Sequence, residues 1–329
     1  MVIHMKAEIL AALRETDGYV SGQELCERFG VSRTAVWKAI NQLKKDGYEI
    51  EAVNNRGYHI VSSPDVLSAN EITSLRKTKW VGSQVYYYDV IDSTNTQANH
   101  LAEEGAVHGA LVVADRQEAG KGRRGRAWES PANTGIFMTL LLKPEIEIAN
   151  ASMLTLVAAL AVTKGIERLT GEKPAIKWPN DIVLNGKKIC GILTELSMQI
   201  DYINHIIIGI GINVHNKNFP DEIAAMASSI LLETGKKIKR AELIEAIWEE
   251  FETYYDLFIQ TQDLSLLSEE YNRYLANMDK PVRVLDPKQP FEGTARGITD
   301  RGELLVETEH GVEKVSSGEV SVRGIYGYV

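Results

Sequence analysis

Apolar residues recur at helical spacing three times in the first 45 positions and then switch to alternation. Ile9, Leu10 and Leu13 give a first helix its inward stripe, and Ser21 can cap a second that runs to Phe29, with Glu24 at capping-box spacing and Gly30 as its stop. Ser32 can cap a third helix, which turns Val36, Ile40 and Leu43 inward and leaves Arg33, Thr34, Lys38, Asn41 and Gln42 on the surface. Residues 48–53 and 58–61 alternate as strands do, joined by a turn, residues 54–57, with the cation Arg56 at its tip. After Ser62, Ser63 and Pro64 the pattern becomes mixed, with strands at 85–90, 111–117 and 135–142 and helices at 93–104 and 152–169. Strands at 175–178 and 182–184 follow, and Asn185-Gly186 makes a tight hairpin turn into 188–196, which pairs with 202–214. Residues 240–276 are helical, with Leu243, Ile244, Ile247, Trp248 and Phe251 as core. From Pro281 onward short strands alternate with turns at Asp286-Pro287, 300–302, His310-Gly311 and Ser317-Gly318. These elements define an α+β chain of three domains: 1–63, 64–277 and a small β-barrel at 278–329.

Three helices and a two-stranded wing resemble the winged helix-turn-helix of bacterial regulators, in which the third helix enters the major groove and the wing touches the backbone or minor groove. That resemblance nominates Ser32, Arg33, Thr34, Trp37, Lys38, Asn41 and Arg56 as the DNA-contacting set. A small structural or protein-docking bundle is the plainer alternative. Charge limits the DNA reading without removing it. The 329-residue chain carries a formal net charge of -9, unlike general nucleic-acid binders, while residues 31–61 hold five Lys or Arg against three acids. Binding would then rest on site-specific contacts and dimerisation.

The 44% hydrophobic and 25% charged composition is that of an ordered globular protein. The longest apolar run near a helical pattern, residues 153–162, is about half a membrane span of roughly 20 residues. The first 14 residues lack the sections of a signal peptide, so a cytoplasmic protein without membrane attachment is expected. Cys26 and Cys190 have no CxxC spacing and are expected as buried free thiols; His4, His59, His100, His108, His205, His215 and His310 are scattered, and no protein metal site is expected.

The unusual chemistry lies in three segments. Between Arg116 and Arg126 stand five cations and one acid, Glu118, with glycines at 120, 122 and 125 that let the backbone approach an anion. A flexible anion-binding loop is one reading and a solvated basic loop the other, since the spacing matches neither standard nucleotide-binding motif. Lys177-Trp178-Pro179-Asn180-Asp181 sets a cation, an amide and a carboxylate at a strand end, or is a simple turn. In Gly209-Ile210-Gly211-Ile212-Asn213 the glycines permit something to pack on a buried strand, with Asn213 a polar group beside that space.

In this order, with Asp92-Ser93-Thr94-Asn95, Gln117, Trp128, Lys188 and Gly191-Ile192-Leu193, these segments resemble the biotin protein ligase family, most closely its bifunctional bacterial members that are also biotin-operon repressors. The resemblance covers nearly the whole chain. It implies a class II synthetase-like catalytic domain and an SH3-like C-terminal barrel. It implies a biotin pocket of Ser93, Thr94, Asn95, Gln117, Lys121, Gly122, Arg123 and Lys188, and an ATP and adenylate site of Arg123, Arg124, Arg126, Trp128, Lys177, Asn180 and Asn213. The family loop often has Arg where Lys121 stands, which keeps the charge and loses a bidentate fork, so Arg123 carries more weight. Hairpin alternation allows only one of Lys187 and Lys188 to point inward, and the family pattern selects Lys188.

By the same resemblance the substrates are biotin and ATP with Mg2+, the intermediate is biotinyl-5'-AMP, and the partners are the biotin carboxyl carrier protein of acetyl-CoA carboxylase, operator DNA and a second copy of the chain. The catalytic set is then Lys188 and Arg123, stabilising charge, and Asp181, positioning or deprotonating the acceptor amine. Two rivals stand beside this: a ligand-sensing regulator without catalysis, and a lipoate-type ligase with related fold and chemistry.

Overall fold

A computed structural model describes residues 2–286, 289–317, 321–324 and 328–329; Pro287 and Gly318, expected in turns, lie outside the described residues. The chain forms two compact units, one of Met1–Lys77 with Lys239–Glu245 and one of Thr78–Ile238 with Ala246–Val329.

In the first unit α1 (Val2–Glu15), α2 (Gly22–Phe29) and α3 (Arg33–Lys45) surround a core that includes Ile9, Leu10, Leu13, Leu25, Val36, Ile40 and Leu43. The caps fall where the sequence puts them. Ser21 accepts from the Glu24 amide, Ser32 from the Ala35 amide, and Gly30 closes α2 in the left-handed region with φ 63°. The wing is an antiparallel pair, β1 (Glu49–Val53) and β2 (Gly57–Ser62). It is tied to the helices by two backbone bonds between Val20 and Tyr58, of 2.8 and 2.9 Å. Gly57, at φ 112°, must be glycine, because a Cβ there would run into the Val20 carbonyl.

A short helix α4 (Ala69–Leu75) packs against α1 within this unit. Its Glu71 is 1% exposed and binds both Arg14, at 2.7 and 2.8 Å, and the Tyr48 hydroxyl, at 2.6 Å. Arg14 also donates to Ser74. One carboxylate therefore holds α1, α4 and the start of the wing together through three hydrogen bonds.

The second unit is built on a mixed sheet of β3 (Val85–Ile91), β4 (Leu111–Gln117), β5 (Gly135–Leu142), β6 (Ala175–Lys177), β7 (Asp181–Leu184), β8 (Lys187–Met198) and β9 (Ile203–Asn213). The spatial order is β3-β4-β5-β9-β8-β7-β6, with β3 and β4 parallel and the other neighbours antiparallel. All eight residues of β5 are buried, as suits a strand near the middle of a sheet covered by helices. α5 (Thr94–Glu103) packs over β4, β5 and β9, and α6 (Leu154–Thr170) over β6, β7 and β8. The apolar helical stretch that contains α6 runs Ile148–Thr170, 23 residues, longer than the run read from sequence and long enough to cross a membrane; 72% of its most apolar window is buried inside the fold. Gly165 makes that burial possible, since a Cβ there would stand 2.7 Å from Ile247 of the helix packed on it.

Beyond β9 come α7 (Asp221–Ala224), α8 (Ile230–Thr234), α9 (Arg240–Thr261) and α10 (Ser268–Tyr274). The helical run expected over 240–276 is thus broken: the Leu264 amide bonds to the Asp300 carbonyl, and Gln262 takes φ 54°. Leu243, Ile244, Ile247, Trp248 and Phe251 are all buried, as expected. The last strands, β10 (Pro281–Leu285), β11 (Phe291–Ile298), β12 (Leu304–Thr308), β13 (Gly311–Val315) and β14 (Ser321–Gly324), form an antiparallel sheet ordered β13-β12-β11-β10-β14 among the described residues. The α+β class and the three kinds of architecture agree with the sequence. Cys190 is a buried free thiol, and Cys26 is free but only half-buried. Ser93 stands at the N-cap of α5 without making the cap bond; Asp92 instead accepts from the Ser93 amide at 2.6 Å.

Removing the Glu71 carboxylate leaves the Tyr48 hydroxyl buried and unpaired and Arg14 without its anion. Glu71→Ala should destabilise the first unit by about 3 kcal/mol, near the low end for a broken buried pair because Arg14 keeps some access to water. Urea unfolding followed by near-UV signals of the first unit would measure it, and a loss below about 1 kcal/mol would mean the network is slack.

Candidate functional site

The floor of the site is the β8–β9 pair, where glycines face each other: Gly191 opposite Gly211, and Leu193 opposite Gly209. Two side chains take the space that Cβ atoms would fill. Asn95, from α5, lies against Gly209, and the Trp128 indole lies on Gly211 and Gly191, with hypothetical Cβ distances of 2.5 and 2.9 Å. What packs on the glycine strand is therefore in part the protein itself. Between these side chains is an inner cavity of about 50 Å³ lined by Ser93, Thr94, Asn95, Gln117, Lys121, Gly122, Arg123 and Lys188 along with the glycine strand.

A closed chain of polar contacts fixes the inner walls. Thr139, fully buried on β5, sits between Thr94 Oγ1 at 2.8 Å and Asn95 Oδ1 at 2.7 Å. Asn95 donates to Glu195 at 2.6 Å, the Thr94 amide donates to Gln117 at 2.8 Å, and Gln117 donates to Ser130 at 2.9 Å. Side chains whose partners are satisfied in one direction keep their remaining donors and acceptors aimed into the cavity.

The basic segment is a folded turn, where the sequence suggested a flexible loop. Gly122 donates to the Arg126 carbonyl at 2.7 Å, Trp128 to the Gly120 carbonyl at 2.9 Å, and Lys121 bridges Ala127. Its glycines serve the turn: a Cβ on Gly120 would strike the Trp128 carbonyl, and Arg124 and Gly125 take φ 58° and 70°. Arg123 points inward. Its guanidinium donates to Asn180 at 2.7 Å and to the Ser317 carbonyl at 3.0 Å, and burial pulls its pKa below the usual arginine value. Lys121 is exposed although it borders the cavity.

Beyond Arg123 and Trp128 lies an outer cavity of about 350 Å³, which Arg124, Arg126, Lys177, Asn180, Asp181 and Asn213 also line. The turn from β6 to β7 carries a cis Trp178-Pro179 bond and is anchored by the Trp178 indole, which donates to the Gly302 carbonyl at 3.0 Å. Asn180 is locked to Ile192 through side chain and backbone, at 3.0 and 2.9 Å. Asn213 donates to the Ser228 carbonyl at 3.0 Å.

Lys188 stands at the seam and lines both cavities. An irregularity in the β7–β8 register, where Ile182 pairs with Cys190 but Val183 with Lys188, re-aims the strand there. Lys188 Nζ meets Asp181 Oδ1 at 2.6 Å, while Lys187 leaves for Glu233 at 3.7 Å, so the two lysines diverge as hairpin alternation requires. Lys177 is 4.0 Å from Asp181, and burial first, then Lys188, Arg323 and Arg123 against the opposing pull of Asp181, brings its pKa down to about 8. Trp128 Nε1 is buried without a hydrogen-bond partner among the described residues, and so is Asn216 Oδ1, which lines the outer cavity. Because Trp128 and Asn216 border the cavities, a group bound there is in a position to supply the missing partners.

The structure thus gathers every residue named for the biotin and nucleotide sites into two adjoining cavities. Sequence reasoning missed Thr139, Glu195, Ser130, Asn216, Arg323 and Tyr328. Tyr328 is the largest omission: its hydroxyl donates to Asp181 Oδ2 at 2.5 Å from the far end of the chain. No local pattern announces it. Among the described residues no three His, Cys, Asp or Glu side chains form a metal-holding group. Asp181 itself is engaged by a cation and a phenol.

In the first unit, Thr34, Trp37, Lys38 and Arg56 are exposed, Trp37 at 58%. Arg33 is held by Gln23 at 2.9 Å, the Ser32 hydroxyl is spent on its helix cap, Asn41 is half-buried, and the Arg56 guanidinium sits 4.4 Å from the Tyr19 ring centre. Helix α3 and the wing tip therefore offer a polar, cationic surface with one large aromatic.

Residues 87–213 match the Biotin/lipoate A/B protein ligase family, residues 6–59 an HTH domain, and residues 278–323 the Biotin protein ligase C terminal domain. The chain is 42% identical to the bifunctional ligase/repressor BirA of Bacillus subtilis, over 92% of this chain and 94% of that one. It is 30% identical to the bifunctional ligase/repressor BirA of Escherichia coli, over 95% and 96%. The biotin protein ligase of Aquifex aeolicus, solved in complex with biotin and ATP, superposes with a TM-score of 0.66 at 30% identity, covering 74% of this chain and 99% of that one. With catalytic, helix-turn-helix and C-terminal segments all matched in order, the chain belongs to the biotin protein ligase family, in its bifunctional ligase/repressor branch.

Proposed function

We propose that the chain makes biotinyl-5'-AMP from biotin and ATP, with the inner cavity holding biotin and the outer one the nucleotide, then transfers biotin to a lysine of the carrier protein. It is also a repressor whose first unit binds operator DNA. The observation that carries the enzymatic reading is Lys188, placed on the seam between the cavities with Arg123 beside it. A carboxylate bound in the inner cavity and an α-phosphate bound in the outer one meet there.

In the first step a biotin carboxylate oxygen attacks the α-phosphorus, the bond to the bridging oxygen breaks, and pyrophosphate leaves. Lys188 and Arg123 face the charge that develops, fixed in place and shielded from water, which makes each worth more than in solution. Lys177 and Arg126 serve the phosphates, and Trp128 covers the joint. Magnesium belongs to the substrate, carried on the nucleotide's phosphates. In the second step the unprotonated acceptor amine attacks the carbonyl carbon, an amide forms, the bond from that carbon to the phosphate oxygen breaks, AMP leaves, and the proton lost by the nitrogen passes to water. Asp181 acts by positioning: with Lys188 on one oxygen and Tyr328 on the other, its carboxylate orients the lysine.

The repressor role joins the two units. Adenylate in the site orders a surface on which two copies meet, and two α3 helices then read a two-fold operator. The modest positive charge of the winged helix fits this reading, because one copy alone neutralises few phosphates.

Incubation with biotin, ATP, Mg2+ and a biotin carboxyl carrier domain should add one biotinyl group to the carrier, visible by mass spectrometry; labelling by lipoate alone would move the chain to the lipoate-type ligases. Arg123→Ala should release biotinyl-5'-AMP roughly 100-fold faster, as befits loss of a buried charge-assisted contact worth about 3 kcal/mol, and filter retention of labelled adenylate would measure it. Unchanged retention would remove Arg123 from the adenylate's contacts. Biotin with ATP should tighten operator binding in a mobility-shift titration, and equal affinity with and without them would break the coupling.

A further inference from the structure

Tyr328 stands one residue from the end of the chain, outside every motif that identifies the ligase, yet it is wedged into the outer cavity. Two contacts are made at once. Its hydroxyl donates to Asp181 Oδ2 at 2.5 Å, and Lys177 Nζ lies 3.7 Å from its ring centre. The same Asp181 oxygen is 4.0 Å from Lys177, while Lys188 holds the other oxygen at 2.6 Å. The phenol therefore holds the Asp181 oxygen that would otherwise close on Lys177. The ring stabilises the ammonium by cation–π attraction without neutralising it, as a second carboxylate would.

We propose that Tyr328 is a positioning residue for adenylation: by holding Asp181 toward Lys188 and covering Lys177, it keeps the Lys177 charge available to the nucleotide's phosphates. This rests on the outer cavity being the nucleotide site. The C-terminal segment then contributes to the chemistry as well as to the fold, and ATP affinity depends on a side chain about 150 residues from the motif it organises.

The groups facing Lys177 are Asp181, Lys188, Arg323, Arg123 and Tyr328. Burial brings Lys177 to about 8, so its charge is full below that pH and lost above it. The Tyr328 hydroxyl is pushed far up by burial and by Asp181 and does not titrate in the working range. Replacing the ring by a smaller side chain admits water to Lys177 and moves its titration upward.

The test is biotin-dependent exchange of labelled pyrophosphate into ATP, run on the full chain as wild type, Tyr328→Phe and Tyr328→Leu across pH 6.5 to roughly 10, a range that brackets the lysine titration. Tyr328→Phe, which keeps the ring and loses the hydroxyl, should raise the KM for ATP about tenfold, as loss of a hydrogen bond to a charged group does, and leave the KM for biotin unchanged. Tyr328→Leu should do the same and also move the alkaline limb of the ATP kcat/KM profile to higher pH. Equal ATP KM values in all three proteins, or ATP and biotin KM values rising together with an unmoved alkaline limb, would overturn the role. Exchange absent in the wild type would overturn the adenylation reading itself, whereas an active wild type with indifferent variants overturns only the assignment of Tyr328. The nearly isosteric Phe variant keeps the test decisive if the Leu variant melts early.

Discussion

A single carboxylate, Asp181, faces Lys188, Lys177 and, through the field of the site, Arg123. Each of these cations would be costly to bury alone, and repulsion among them would spread them apart without the carboxylate. The surrounding structure exists to keep this arrangement fixed: the β6–β7 turn is pinned by Trp178 to the C-terminal segment, Asn180 is locked to β8, and Arg123 is tethered at both ends of its fork. The cluster carries more positive than negative charge. The protein relieves part of that excess by lowering the Lys177 pKa to about 8, and an anion entering the cavity would relieve it further.

Close approach is the second constraint. On the β8–β9 floor the absent Cβ atoms of Gly191, Gly209 and Gly211 let Trp128 and Asn95 lie against backbone, which lowers those side chains into the sheet and opens the cavities above them. The same device closes the basic turn on itself through Gly120 and Gly122. Arg123 is carried on that turn and held by Asn180 and Ser317.

The strands, the caps and the cluster of motifs were legible because each is a local signal. Ser21 and Ser32 are followed by helix periodicity, Asn185-Gly186 sits between alternating runs, and Lys188 is separated from Lys187 by one step of a strand. What escaped is set by contacts far apart in sequence. The break at Gln262 depends on Asp300, the burial of Thr139 between Thr94 and Asn95 joins β5 to α5, and Tyr328 reaches Asp181 across 147 positions. Ser32 and Arg33 are exposed as the helical repeat predicts, and their intramolecular partners, the Ala35 amide and Gln23, are a further detail that the repeat does not disclose.

The charge distribution gives the two activities a common logic. The chain as a whole carries -9, so its general surface repels nucleotides and DNA alike. The densest run of positive charge in the sequence is the turn between Arg116 and Arg126, with five cations against one acid, and α3 with the wing carries a smaller excess. An anion is held where side chains are arranged to meet it, as they are around the cavities. Non-specific adsorption to nucleic acid, which would compete with a repressor's operator search, falls with the same acidic excess that leaves the ligase site unaffected, because the buried cations answer to their immediate neighbours far more than to the screened surface.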